Sequence, residues 1–341
     1  MSKILIIGDM HLGHVGYSGV TKDARVKERN DILNFIASSG HDCDTIVFLG
    51  DQFDRRNNPS QVVKEFTNFL ERFESQQVYI LAGNHEKNPS GDSALDYLRE
   101  IRGKTWVVVT DEVFKWSGMT FCPYFFKSEI GAKNNLDGAD IIFDKLRKNI
   151  GNDNNSVLFI HHTISDFFTS SGQNTDSFNE IVLNKSRLSS MFKKVFVGHI
   201  HKPQKKENVV MCGSIFNNEI NEIEKNIYKY DTDNNSIEQI KIPGRGIYKL
   251  ENPTKEEIGL IDNHNILKVV ITDRKINISE IKNLLQSFDG YMIVEQYPNE
   301  RKKIIARNDI LDLGVENLLD IYAKQRGVDN ILLKNGWELV K

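Results

Sequence analysis

The chain has 341 residues, of which 39% are hydrophobic and 27% charged, with a formal net charge of −3. That composition supplies both a core and a solvated surface, which excludes a disordered polar chain, a collagen-like chain and a coiled coil. No stretch approaches the roughly 18 apolar residues of a membrane span, and the near-neutral charge excludes a globally basic nucleic-acid binder while leaving room for a local basic face.

Residues 3–7 read as a buried first strand; the apolar run is too short for a signal peptide. A helix follows over 22–38, with Ile32, Leu33 and Ile36 on its inner side. Residues 45–49 are a second strand, 60–72 an amphipathic helix starting at Ser60, and 77–81 a third strand. Strands alternating with such helices predict βαβ units and a mainly parallel sheet. Residues 105–110, 113–116 and 119–123 read as strands joined by turns, 141–150 as a helix, and 157–160 and 194–197 as further buried strands. Residues 208–241 read as two or three antiparallel strands with a hairpin turn at 231–235. Residues 243–253, with Gly244, Gly246 and Asn252-Pro253, read as a linker. A small β-α-β unit follows (266–271, 279–288, 291–296), then an amphipathic helix over 309–326. The length fits about two domains. The expected division is 1–245 for the main domain, 246–305 for the small unit and 306–341 for a C-terminal helical segment.

The chemistry gathers at strand ends. Gly8-Asp9-Met10-His11, Gly50-Asp51-Gln52-Phe53-Asp54, Gly83-Asn84-His85-Glu86, His161-His162 and Gly198-His199-Ile200-His201 each follow a predicted strand. Strand C-termini of an open α/β sheet share one edge, where ligands bind, so these motifs are expected to converge. Carboxylate, imidazole and amide oxygen without thiolate suit Mn²⁺, Fe²⁺, Zn²⁺ or Mg²⁺. About seven such ligands exceed one ion and suit two, the recurrent arrangement for phosphoryl hydrolysis, with a carboxylate bridging the ions. Cys43, Cys122 and Cys212 lie far apart without a CxxC pair, and read as buried free thiols in a reducing cytoplasm.

The motif series over roughly residues 1–213 resembles the calcineurin-like metallophosphoesterase signature. Asp9-Met10-His11-Leu12-Gly13, Gly198-His199-Ile200-His201-Lys202 and Cys212-Gly213-Ser214 are similar to the SbcD-type double-strand-break repair nucleases, including the compact phage recombination-endonuclease version. The resemblance implies a four-layer αββα sandwich with a small C-terminal α+β DNA-capping domain. It implies Asp9, His11 and His201 on a first metal, Asn84, His161 and His199 on a second, Asp51 bridging, and His85 acting at the scissile phosphate without binding metal. His161 rather than His162 is the ligand because it directly follows the strand, as in the family. Asp54 stands where some relatives carry a DNA-contacting histidine; the alternative for it here is to orient a ligand.

The activity implied is a Mn²⁺-dependent nuclease, exonucleolytic on double-stranded DNA and endonucleolytic on single strands or hairpins. It would work as a cytoplasmic homodimer with an SbcC-type ATPase, docked through the 309–326 helix. Candidate phosphate-backbone contacts are Arg55, Arg56, Lys202, Lys205 and Lys206, with further basic residues at Lys185, Arg187, Lys193, Lys194 and 301–303. Two alternatives stand beside this: a small-molecule phosphodiesterase or phosphoprotein phosphatase of the same superfamily, and a non-catalytic DNA-end-binding scaffold. His14, His41 and His264 read as loop histidines without a role.

Overall fold

A computed structural model describes residues 3–14, 20–101, 104–151, 153–217 and 219–296. The expected 309–326 helix and the basic residues at 301–303 lie outside the described residues. The chain opens with β1 (Lys3–Ile7), α1 (Lys22–Ser39), β2 (Thr45–Phe48), α2 (Ser60–Leu70), β3 (Gln77–Leu81) and β4 (Trp106–Val109). β5 (Phe114–Trp116), β6 (Met119–Cys122), α3 (Asn135–Ile150), β7 (Val157–His161), β8 (Thr163–Ile164), β9 (Val182–Leu183), α4 (Lys185–Met191), β10 (Lys194–Gly198), β11 (Gln204–Lys206) and β12 (Val209–Met211) follow. β13 (Asn226–Asp231) and β14 (Ser236–Lys241) are a hairpin, and β15 (Ile247–Glu251), α5 (Lys255–Gly259), β16 (Ile266–Ile271), α6 (Ile278–Leu285) and β17 (Gly290–Glu295) come last.

Two six-stranded sheets form the frame, in the orders β14-β13-β1-β2-β3-β4 and β11-β12-β10-β7-β6-β5. Strand alternation explains why they stack. In β1, Leu5 and Ile7 join the core beneath α1 and α2, with Phe48, Phe66 and Phe69. Ile4 and Ile6 point the other way, into the core between the sheets, with Val47, Tyr79, Phe121, Phe159 and Phe196. On the far face of the second sheet, Leu158 and Ile160 meet Ile142, Phe143 and Leu146 of α3 and Leu188 of α4. Three cores separating four layers are the αββα sandwich of the mixed α/β class. The middle core contains a row of parallel rings, Tyr79 on Phe121 at 4.3 Å, Phe121 on Phe159 at 5.3 Å and Phe159 on Phe196 at 5.6 Å.

β1, β2 and β3 run parallel, with Ile7 paired to Phe48 and Phe48 to Ile80. β7 and β10 run parallel in the second sheet, with His161 paired to Gly198. The loops after these strands therefore leave from one edge of each sheet.

Two expectations need correction. Residues 208–241 do not make one antiparallel set: β12 pairs with β11 and β10 in the second sheet, while β13 and β14 extend the first through β1. The expected linker contains β15, parallel to β16 in a third sheet β15-β16-β17. Glycines and Asn-Pro around only five residues hid it, because its hydrogen-bonding partner lies further along the chain. All three cysteines are buried free thiols. Among the described residues no helix is long and apolar enough to cross a membrane.

Candidate metal centre

The loops at the strand ends are tied to one another through the residues that carry chemistry. His11, Asp51 and His199 all have left-handed backbones, with φ of 46°, 50° and 88°, a conformation that costs non-glycine residues about 1 kcal/mol or more and persists only where surroundings enforce it. The enforcement is visible. Met10 and His11 N–H both donate to Asp51 O at 2.9 Å. The Asp9 carboxylate accepts His199 N–H at 2.9 and 3.1 Å, and Asp51 Oδ1 accepts His85 N–H at 2.9 Å. Fully buried Glu86 accepts N–H bonds from Asp51, Phe53 and Gly83 and so holds the β2 and β3 loops together. Gly50 has φ of 109°, and a Cβ there would run into the His161 ring. A Cβ on Gly198 would stand 2.8 Å from both Asp9 Oδ1 and His161 Nδ1.

The side chains then converge. Asp9, His11 and His201 form one cluster of ligand atoms and Asp51, His161 and His199 another. Asn84 joins the second, its Oδ1 2.9 Å from His199 Nδ1 and 3.2 Å from His161 Nε2. Asp51 Oδ2 lies between the two, 3.8 Å from His11 Nε2 and 3.3 Å from His161 Nε2. Outer partners determine which ring nitrogen is free. His161 donates Nδ1–H to Leu49 O at 2.7 Å, leaving Nε2 for the centre. His199 turns Nε2 onto Glu180 Oε1 at 3.1 Å, leaving Nδ1. His201 turns Nδ1 toward Glu222 Oε1 at 3.1 Å, leaving Nε2. Glu222 in turn contacts the buried Lys225 ammonium at 3.1 Å.

His85 is different. It donates Nδ1–H to Asp54 O at 2.6 Å, and its Nε2 stays 4.0 Å from Asp51 Oδ2 in a ring 38% exposed. Asp54 thus orients His85 through its backbone carbonyl, while its side chain binds His14 at 3.1 Å. His162 is buried and accepts Phe125 N–H on Nε2 at 3.0 Å, with Tyr124 stacked on it at 4.8 Å. His41 and His264 are exposed, His264 binding Asp289 at 2.8 Å. Sequence reasoning assigned no role to Glu86, Glu180 or Glu222. Glu86 lay inside a quoted motif, but Glu180 and Glu222 sit in loops without any pattern.

Arg55, Arg56, Lys202 and Lys205 are exposed beside these loops, whereas Lys206 is half-buried and donates to Asp166 O. The group at 185–194 is placed otherwise: Lys185 is bound to Glu207 at 2.6 Å, Arg187 to Asp140 at 2.8 Å, and Lys193 and Lys194 stand at the opposite end of β10 from His199. At about 3.3 Å per residue, one strand length separates them from the centre. A groove borders His11, lined by Arg25, Asn217, Ile223 and Arg245 among others.

A family model for calcineurin-like phosphoesterases matches residues 2–203, more than half of the chain. The chain belongs to that family. Its structure is similar to TT1561 of Thermus thermophilus (14% identity, 71% of this chain and 99% of that one, TM-score 0.42). It is also similar to an archaeal phosphodiesterase (11%, 70% and 99%, TM-score 0.34) and to the hypothetical protein PH1004 of Pyrococcus horikoshii (11%, 71% and 88%, TM-score 0.33). No curated protein matches.

As a calcineurin-like phosphoesterase, the protein has a centre whose charges suit cations. Burial holds the His11 and His161 rings below the ordinary imidazole value, so their lone pairs are available. Burial alone would raise Asp51, but His161, His11 and His85 outweigh it and keep the carboxyl well below its usual range. Burial and then the Asp51 charge push Asp9 well above the usual range, and the same two causes push Glu86 up to about 8. Two buried carboxyl groups, one of which a cation would help to ionise, amid converging lone pairs fit divalent ions, and the absence of thiolate fits a hard or borderline metal. Such ions, when bound, neutralise phosphate oxygens and acidify a water. The residues themselves supply orientation: Asp51 faces both clusters, and His85, pinned through Nδ1, keeps Nε2 4.0 Å from Asp51 Oδ2.

Proposed function

We propose that this chain is a two-metal phosphodiesterase acting on the DNA backbone, an SbcD-type nuclease. The observation that carries the reading is the placement of Asp51 between two ligand clusters, with His85 beside it and exposed Arg55 and Arg56 just beyond. The clusters suit phosphodiester hydrolysis, and the cationic rim suits a polyanion. In this reading Asp9, His11 and His201 hold one ion, Asn84, His161 and His199 the other, and Mn²⁺ is the working metal. Arg55, Arg56, Lys202, Lys205 and Lys206 contact phosphates without reading bases. Residues 246–305 cap the DNA, and residues 306–341 dock an SbcC-type ATPase. The working form is a cytoplasmic homodimer.

A second reading is favoured by the groove beside His11. Its walls set apolar Ile32, Ile215 and Phe216 among more numerous polar and charged side chains, Arg25, Arg29 and Lys241 included. A recess with cationic side chains beside a metal-ligand cluster suits a small anionic phosphodiester. One experiment separates the two. The purified protein with Mn²⁺ is given linear duplex, single-stranded and hairpin DNA, and in parallel bis-p-nitrophenyl phosphate. Degradation of DNA, lost when Arg55 and Arg56 are both replaced by Ala, is expected. Hydrolysis of the small ester with every DNA form left intact, alone and with the ATPase, would overturn the nuclease reading in favour of the second.

A further inference from the structure

We propose that Glu180 is a positioning residue for the second metal site: it commits His199 to offering Nδ1, so that losing Glu180 releases the second ion and spares the first. The inference rests on the two-ion reading above.

Glu180 is held from three sides. Its Oε1 lies 3.1 Å from His199 Nε2 and also accepts the Thr163 hydroxyl, and its Oε2 accepts Tyr124 O–H at 3.3 Å. These partners come from the end of β10, from β8 and from the segment after β6, so three separate parts of the chain fix the carboxylate. The support extends one step further. Tyr124 stacks on His162 with an interplanar angle of 19°, and His162 is itself held by Phe125 N–H. That gives the buried His162 a place in the same structure without making it a ligand.

The two sites are not equivalent in this respect. The first-site His201 is backed by Glu222, which Lys225 also contacts at 3.1 Å. The second-site His161 is backed by the Leu49 carbonyl, a neutral acceptor. Among the described residues neither lysine nor arginine forms an ion pair with Glu180, so no cationic side chain competes with His199 for it. A carboxylate behind a ligating imidazole fixes its tautomer and raises its basicity, and removing one typically weakens metal binding by roughly 10–100-fold.

The test is a Mn²⁺ titration of the chelator-stripped full chain by calorimetry, with electron paramagnetic resonance to report a spin-coupled pair. The wild type is expected to take two ions and show coupling. Glu180→Ala is expected to keep the first affinity and weaken the second by roughly 10–100-fold, with coupling lost. Glu180→Gln, which keeps an acceptor oxygen, is expected to recover part of the second affinity; it and Tyr124→Phe carry the test should the alanine variant not fold. Unchanged second-ion binding, or equal weakening of both ions, overturns the role of Glu180 while leaving the two-ion centre in place. A wild type that binds no pair of ions overturns the two-ion reading, and this inference with it.

Discussion

The Nε2 atoms of His11 and His201 face each other at 2.9 Å. His201 spends its other nitrogen on Glu222, so its lone pair points at His11, and Asp9 completes the cluster. Two imidazole nitrogens this close, beside a carboxylate, would hold a divalent cation. Divalent metal should therefore stabilise the fold. Adding Mn²⁺ at 100 times its dissociation constant should raise stability by about 2.7 kcal/mol, read as a rise in melting temperature that His201→Ala diminishes. Identical melting with and without metal would count against the centre.

Asp54 O takes the Nδ1 proton of His85 and leaves Nε2 4.0 Å from Asp51 Oδ2; in the proposed reading that nitrogen serves the ester and does not bind metal. Replacement by Ala should lower kcat for phosphodiester hydrolysis by roughly 10²–10⁴-fold, the usual contribution of a proton-transfer group. Elemental analysis should still find the wild-type metal content. Loss of metal in step with activity would make His85 a ligand instead.

The adjacent His161 and His162 should separate cleanly. His161→Ala should lose second-site metal. His162→Ala should retain it but be less stable by about 1–3 kcal/mol, because Phe125 N–H is left buried without an acceptor. Metal content and urea midpoints of the pair distinguish the two; the reverse pattern would reassign the ligand.

Glu28 of α1 binds Arg25 at 2.8 Å and Arg245, just before β15, at 2.9 Å. Burial alone would raise its carboxyl, but hydrogen bonds from Arg245 and the Arg25 charge outweigh that and lower it. A depressed carboxyl stabilises the fold above its unfolded value of about 4.3 and loses that contribution as pH falls through the folded value. Arg245→Ala should thus cost about 1–3 kcal/mol at pH 7, since half-buried Glu28 loses charged hydrogen bonds but keeps Arg25. The gap to wild type should narrow below about pH 4. A pH-independent gap in urea denaturation would show that Arg245 acts through packing alone.

Phe159 is fully buried at the centre of the ring row between the sheets. Phe159→Ala should destabilise by about 3–5 kcal/mol through lost burial and the cavity left behind. Chemical denaturation checks this, and a cost under about 1 kcal/mol would mean the sheets close over the gap.

How much of this was legible beforehand follows from the range of the forces involved. The continuous apolar runs in Lys3–Ile7 and Val157–His161 are a property of neighbours in sequence, so the strands were readable, and with them the loops carrying Asp9, Asp51, Asn84, His161, His199 and His201. Their chemistry was readable too, because carboxylate and imidazole declare their ligand character without a fold. Which nitrogen each ring offers was not readable, since Leu49 O, Glu180 and Glu222 reach their histidines only after the chain has crossed between sheets. β15 escaped for a similar reason: its five residues are a strand only because β16 is beside them. The basic residues at 185–194 flank the entrance of β10, as chain order already says, and what only the fold showed is that Lys185 and Arg187 are bound to Glu207 and Asp140. Sequence alone determined which groups could bind metal and that they end strands. The tertiary structure decided their facing, their protonation and their order around Asp51, because those depend on hydrogen bonds between segments far apart in the chain.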